Sequence, residues 1–112
     1  MAARSLRLIV SLSPAALASL DEIRDWNART YGVEHAHRYI EFLRSETAKL
    51  GDIYFAGKPV PTRPKLSYII IRRRRGGHGH VAVYELIGGV AHILNYYHTA
   101  QDWQTALAQN GP

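Results

Sequence analysis

Three observations predict an α+β domain: an alternating apolar segment near the N-terminus, two consecutive stretches of helical periodicity, and three later segments rich in β-branched and aromatic residues. Alternation at period two turns one face of a strand to a core, and recurrence every three to four residues turns one stripe of a helix there. The 112 residues suit a single domain, 1–112. A chain of that size buries roughly two thirds of the surface it exposes when unfolded.

Leu6, Leu8, Val10 and Leu12 alternate with Arg7, Ile9 and Ser11, which predicts an N-terminal strand over about residues 5–12. Ser13 offers a hydroxyl N-cap, Pro14 suits the first helical position, and Leu12 can staple onto Leu17. The first helix therefore starts at Pro14, with Ala16, Leu17, Leu20, Ile23 and Tyr31 on one side, Trp26 at its edge and Gly32 as its stop. A second helix, about residues 34–50, carries Ala36, Ile40, Leu43, Thr47 and Leu50 as a stripe beside Tyr39, and ends at Gly51. So short a link makes an antiparallel helical hairpin, whose apolar stripes only the strands can cover.

Gly57, Pro59, Pro61 and Pro64 predict an extended loop, because each proline removes a donor and holds its predecessor out of helical conformation. A three-stranded antiparallel meander follows, over about residues 66–72, 80–87 and 90–97. Gly88-Gly89 is a strong two-residue turn signal, since a type I′ turn needs positive φ at both positions. Extending that register sets Tyr84 opposite Ile93, Ala82 opposite Asn95 and His80 opposite Tyr97 on one face. The other face, with Val81, Val83, Ile87, Val90 and Leu94, reads as the core, and the first as the more open one. Thr99, with Asp102 three residues on, can cap a short C-terminal helix through Trp103, Ala106 and Leu107.

Composition narrows the function classes. Without cysteine there is neither a disulfide nor a thiolate metal site, and a cytoplasmic address fits best. No apolar run approaches the ~20 residues of a membrane helix, and no signal-peptide pattern is visible. The net charge of +5 is unevenly placed: residues 58–75 hold seven basic residues and no acid, whereas residues 13–57 hold five basic and seven acidic ones. Such a field suits a polyanion or an acidic protein partner.

The order of elements, with Ser13-Pro14-Ala15-Ala16 followed by Leu20, Ile23 and Trp26, then Gly57-Lys58-Pro59-Val60, is similar to that of the RelE/ParE toxin superfamily, also known as plasmid-stabilisation proteins. His80-Val81-Ala82-Val83-Tyr84 resembles the family's strand ending in tyrosine, and Ile93 to His98 followed by Asp102-Trp103 resembles its closing strand. The resemblance covers nearly the whole chain. It implies the toxin of a type II toxin–antitoxin system, a growth inhibitor paired with a small antitoxin that has a DNA-binding N-terminal part and a C-terminal segment wrapping the toxin. RelE-like members are endoribonucleases cutting messenger RNA on the ribosome; ParE-like members lack that active site and are associated with poisoning DNA gyrase. Where ribonuclease members tend to carry arginines, this chain has Val81 and, later, Asn95 or Tyr96. The ParE-like branch is therefore preferred, with the ribonuclease as the alternative and a non-toxic binding protein as a third reading.

Metal-free RNA cleavage needs a base for the 2′-hydroxyl, cations for the phosphorane and an acid for the leaving oxygen. On the ribonuclease reading those roles fall to His80, Tyr97, His98 and Arg75, with Tyr84 and Asn95 on the same face. On the ParE-like reading no catalytic residue is assigned, and Arg72, Arg73, Arg74, Arg75, Tyr97, His98 and Trp103 are the candidates for target or partner contact. The arginine run reads equally as a solvated strand end, and His98 as a hydrogen-bonding cap of the sheet. His78 and His80 lack a neighbouring third ligand, so neither a metal nor a cofactor is expected. His92 and Glu85 read as a structural cross-strand pair, and Tyr39, Ile40 and Leu43 as core.

Overall fold

The computed structural model describes residues 8–52 and 57–110. Strand β1 (Ile9–Leu12) leads into helices α1 (Pro14–Tyr31) and α2 (Val33–Ala48), and a single 3-10 turn, Lys49–Gly51, follows. Then come β2 (Lys58–Val60), β3 (Arg63–Arg72), β4 (Gly79–Ile87), β5 (Val90–His98) and α3 (Trp103–Asn110). The α+β order predicted from sequence is the one found. Of the strand expected over 5–12, residues 5–7 lie outside the described residues.

The helix boundaries follow local chemistry. Ser13 Oγ accepts from the Ala16 N–H at 3.0 Å, satisfying one of the donors a helix start leaves unpaired. Gly32, at φ 99°, ends α1 with its N–H donated to the Ala28 carbonyl, and α2 begins at the next residue. Only glycine takes that backbone turn without strain, so the two helices fold back on each other across one residue.

The sheet has the order β1-β5-β4-β3-β2, with β1 parallel to β5 and the other pairs antiparallel. Edge strand β2 lies where the prolines predict an extended loop. Three residues suffice for it, and Pro59 is tolerated because an edge strand leaves one row of backbone groups unpaired.

Near the turn, β4 and β5 pair as expected: Gly88 and Gly89 both take positive φ, and Ile87↔Val90 and Tyr84↔Ile93 are partners. Beyond Ile93 the register shifts. Val83 pairs with Asn95, Val81 with Tyr97 and His80 with His98, so Leu94 is the extra residue of a β-bulge. The expected pairs Ala82 with Asn95 and His80 with Tyr97 are thereby corrected, and Tyr97 moves to the opposite face from His80. The cause is not local: Ser13 donates its N–H to the Ile93 carbonyl at 3.0 Å and its Oγ–H to the Leu94 carbonyl at 2.8 Å. One serine thus caps α1 and fastens the bulged segment.

Both faces of the sheet are covered, which corrects the expectation of one core face and one open face. The face expected to stay open packs on the helical hairpin, with Ile69, Ile71, Ala82, Tyr84, Ile93 and Tyr96 against Ala16, Leu20 and Leu43. Val81, Val83, Val60, Leu66 and Tyr97 form a second cluster under Leu107 and Trp103. Ile87, expected in the core, is 54% exposed. On the hairpin, Leu17 and Tyr31 are also exposed, while Asn27 is buried with its amide donated to the Ile23 carbonyl. The cap of α3 is Asp102, whose carboxylate accepts from the Thr105 N–H and hydroxyl; Thr99, expected to cap it, instead accepts from the Gly79 N–H at 2.9 Å.

Candidate functional site

The turn between β3 and β4 folds toward the free end of the helical hairpin and leaves an open cleft of about 1200 Å³. One wall is helical, with Glu22, Asp25, Trp26, Arg29 and Tyr31 from α1 and His35 from α2. The other wall is the turn, with Arg73, Arg74 and His78, and His98 comes from the end of β5. Tyr39 and His80 lie between the two walls.

The Tyr39–His80 contact ties α2 to β4: the tyrosine hydroxyl and His80 Nδ1 are 2.6 Å apart. Burial pushes the Tyr39 hydroxyl up to about 12, against the pull of the Arg73 charge, so it stays protonated. Burial also pushes His80 down to about 4, with His98 adding to the effect. At neutral pH His80, hydrogen-bonded to the Tyr39 hydroxyl, is thus an uncharged imidazole. The His98 ring stands edge-on to it at 5.2 Å between centroids, its Nδ1 accepting the Ala100 N–H. Partial burial and the neighbouring His78 hold His98 below its usual pKa.

Arg73 lies over the Tyr39 and Phe42 rings, 5.6 and 5.5 Å from their centroids, a cation–π geometry that holds the guanidinium against the hairpin. Of the other arginines singled out from sequence, Arg72 ends β3, Arg74 lines the cleft, and Arg75 is exposed in the turn. Gly79 closes the turn where nothing larger fits, since a Cβ there would come 1.9 Å from the Ile71 carbonyl oxygen.

A family model described as the ParE toxin of type II toxin-antitoxin system, parDE, matches residues 10–103. The chain belongs to the ParE toxin family. A solved structure described as the chromosomal ParDE TA system from P. aeruginosa is similar, with a TM-score of 0.70 at 21% identity, over 82% of this chain and 96% of that one. That likeness extends the family assignment to the fold. No curated protein sequence matches.

In this ParE-family chain the sequence-derived candidates separate into two groups. Arg73, Arg74, His80 and His98 gather at the cleft, on the hairpin side. Tyr97 is 5% exposed on the other side of the sheet, and Trp103 packs on Tyr68 with ring centroids 4.8 Å apart. Tyr84 and Asn95 are also committed: the Tyr84 hydroxyl accepts the Gly57 N–H at 2.8 Å, and the Asn95 side-chain Oδ1 accepts from the Ser19 hydroxyl and the Tyr96 N–H. Among the described residues no group of three or more His, Asp or Glu is placed to hold a metal ion, and no helix is long and apolar enough to cross a membrane.

Trp26, Tyr31, His35 and Tyr39 were not singled out as site residues by sequence. The usable signal was the spacing of Glu22, Asp25 and Arg29 around Trp26, which places three charged residues and one aromatic on one helical stripe.

Proposed function

We propose that this ParE-family chain is a gyrase-directed toxin that acts by binding in the cytoplasm and is neutralised by a cognate antitoxin. The observation that favours binding over RNA cleavage is the separation of His80 from Tyr97. The two lie on opposite faces of the sheet, so no single substrate phosphate reaches both. A neutral, buried His80 with Nδ1 already bonded is also a poor proton acceptor near pH 7. The arginine run remains the proposed contact surface, with Arg73 and Arg74 foremost because the cleft presents them. Tyr97 drops out of it as buried.

The test is inducible expression of the chain alone, followed by viable counts, DNA-damage induction and messenger RNA ends in one culture. Growth arrest with damage induction and intact messages is expected, and co-expression of the antitoxin should restore growth. Replacing Arg72, Arg73, Arg74 and Arg75 together by alanine should abolish the arrest while leaving the circular dichroism spectrum unchanged. Cleaved messages without DNA damage would overturn the proposal in favour of a ribonuclease, and absence of arrest would leave a non-toxic binding protein.

A further inference from the structure

The cleft carries a feature that target contact by an arginine run does not require. Its helical wall displays aromatic surface: Trp26 is 52% and Tyr31 60% exposed. These rings touch edge-to-face at 5.8 Å, and Tyr31 continues onto His35 at 4.7 Å. Large apolar rings left in water along one strip of surface mark a binding site more than they mark a helix exterior. Glu22 and Asp25 project from the same stripe of α1 as Trp26. Across the gap stand Arg73, Arg74 and His78.

The two sets of charge do not neutralise each other. Asp21–Arg24 and Glu34–Arg38 pair within α1 and α2, and Glu46 pairs with Lys49 at the end of α2; among the described residues no ion pair is seen across the cleft. A ligand that suits both walls must therefore bring a flat ring for the aromatic strip, N–H donors for carboxylates, and an anionic group for arginines. A uniformly acidic peptide meets Glu22 and Asp25 with the wrong sign.

We infer that the cleft is a binding site for a guanine nucleoside phosphate, its base stacked on Trp26 with Tyr31 against its edge, its N–H edge turned to Asp25 or Glu22, and its phosphate held by Arg73 and Arg74. Aromatic faces accept any base, whereas a carboxylate pairs best with the adjacent N1–H and N2–H of guanine. Arginine, unlike lysine, offers a planar fork that matches two phosphate oxygens, and the Tyr39 and Phe42 rings hold the Arg73 fork in place before any ligand arrives. The site goes beyond growth arrest and is independent of it, because binding is read on the isolated full-length chain whether or not gyrase is the target.

Titration calorimetry with GMP, guanosine, inorganic phosphate, AMP and a hexaglutamate peptide tests the assignment. GMP should bind at least tenfold more tightly than guanosine or phosphate, and more tightly than AMP. Trp26→Ala and Arg74→Ala, both at exposed positions, should each weaken GMP at least fivefold with an unchanged melting temperature, and Trp26→Phe should retain most of the affinity. Asp25→Asn combined with Glu22→Gln should erase the preference over AMP. A 5′-phosphorylated guanosine dinucleotide that outcompetes GMP would identify the source as a strand end, and one that does not would identify a free nucleotide. Phosphate binding as well as GMP, unaltered affinity in Trp26→Ala, or hexaglutamate displacing GMP would each overturn the inference.

Discussion

The two faces of the central sheet are covered by different means and do different things. Toward the helical hairpin lie two long helices, a large apolar cluster and, at one end, the cleft with Tyr39, His80 and Arg73. Toward the C-terminus lies one helix of eight residues over a smaller cluster that includes Tyr97. A site needs side chains fixed by packing behind them, and the hairpin face supplies that. The α3 face closes a hydrophobic surface and leaves its aromatic residues buried or half-buried rather than presented.

Cavity-creating substitutions should expose this difference most strongly. Leu43 is 0% exposed between the hairpin and the sheet. Leu43→Ala is expected to cost about 3 to 4 kcal/mol. Leu107 is also buried, at 6% exposed, but it sits on a short terminal helix that can shift or fray. Leu107→Ala is expected to cost about 2 kcal/mol or less. Urea unfolding at unchanged m-value measures both; equal costs would make α3 as integral to the fold as the hairpin.

The same contrast explains what could be read from the sequence. Features set by neighbouring residues were legible: the Ser13 cap, the Gly32 stop, the Gly88-Gly89 turn and its first four residue pairs. Features set across the fold were not. The bulge at Leu94 depends on carbonyls accepting from Ser13, 81 positions away in the case of Leu94, and continuing the turn's register past it inverted the placement of Tyr97. Face assignment failed because β4 carries apolar residues on both sides, Ala82 and Tyr84 on one and Val81 and Val83 on the other, so alternation gave no contrast between them. Of the candidate site, Arg73, His80 and His98 were legible as chemistry-bearing types, while Tyr39 looked like core because its stripe is core on either side of it. Its hydroxyl is what distinguishes it, and only the fold brings His80 within reach.

Acidification should sharpen the comparison, since the hairpin face alone buries a titratable group at its site. His80 titrates near 4 in the folded chain against an ordinary value of 6.5. Above 6.5 both states leave it neutral. As pH falls from there toward 4 the unfolded chain takes up a proton that the folded chain refuses, so stability is lost in that window, by roughly 3 kcal/mol for this residue. His98 shifts in the same direction and adds to the loss. In His80→Gln, whose amide oxygen can accept from Tyr39, stability should fall less between pH 7 and pH 4. Parallel pH profiles for the two proteins would mean that the His80 ring is not held neutral by the fold.

The smallest effect comes from a pair of neighbours on opposite faces, Tyr96 and Tyr97. Thr47 Oγ1 lies 2.7 Å from both the Leu43 carbonyl and the Tyr96 hydroxyl. A carbonyl only accepts, so the threonine gives its proton to Leu43 and Tyr96 must donate to Thr47. Removing that hydroxyl in Tyr96→Phe deletes one buried bond and leaves Thr47 still bonded to Leu43, which should cost about 1 kcal/mol. The Tyr97 hydroxyl has no hydrogen-bond partner among the described residues, so Tyr97→Phe should lie within about 0.5 kcal/mol of the parent. Paired thermal melts of the two variants decide the point. A larger loss in Tyr97→Phe would place an unrecognised polar contact on the α3 face and weaken the division of labour between the two sides.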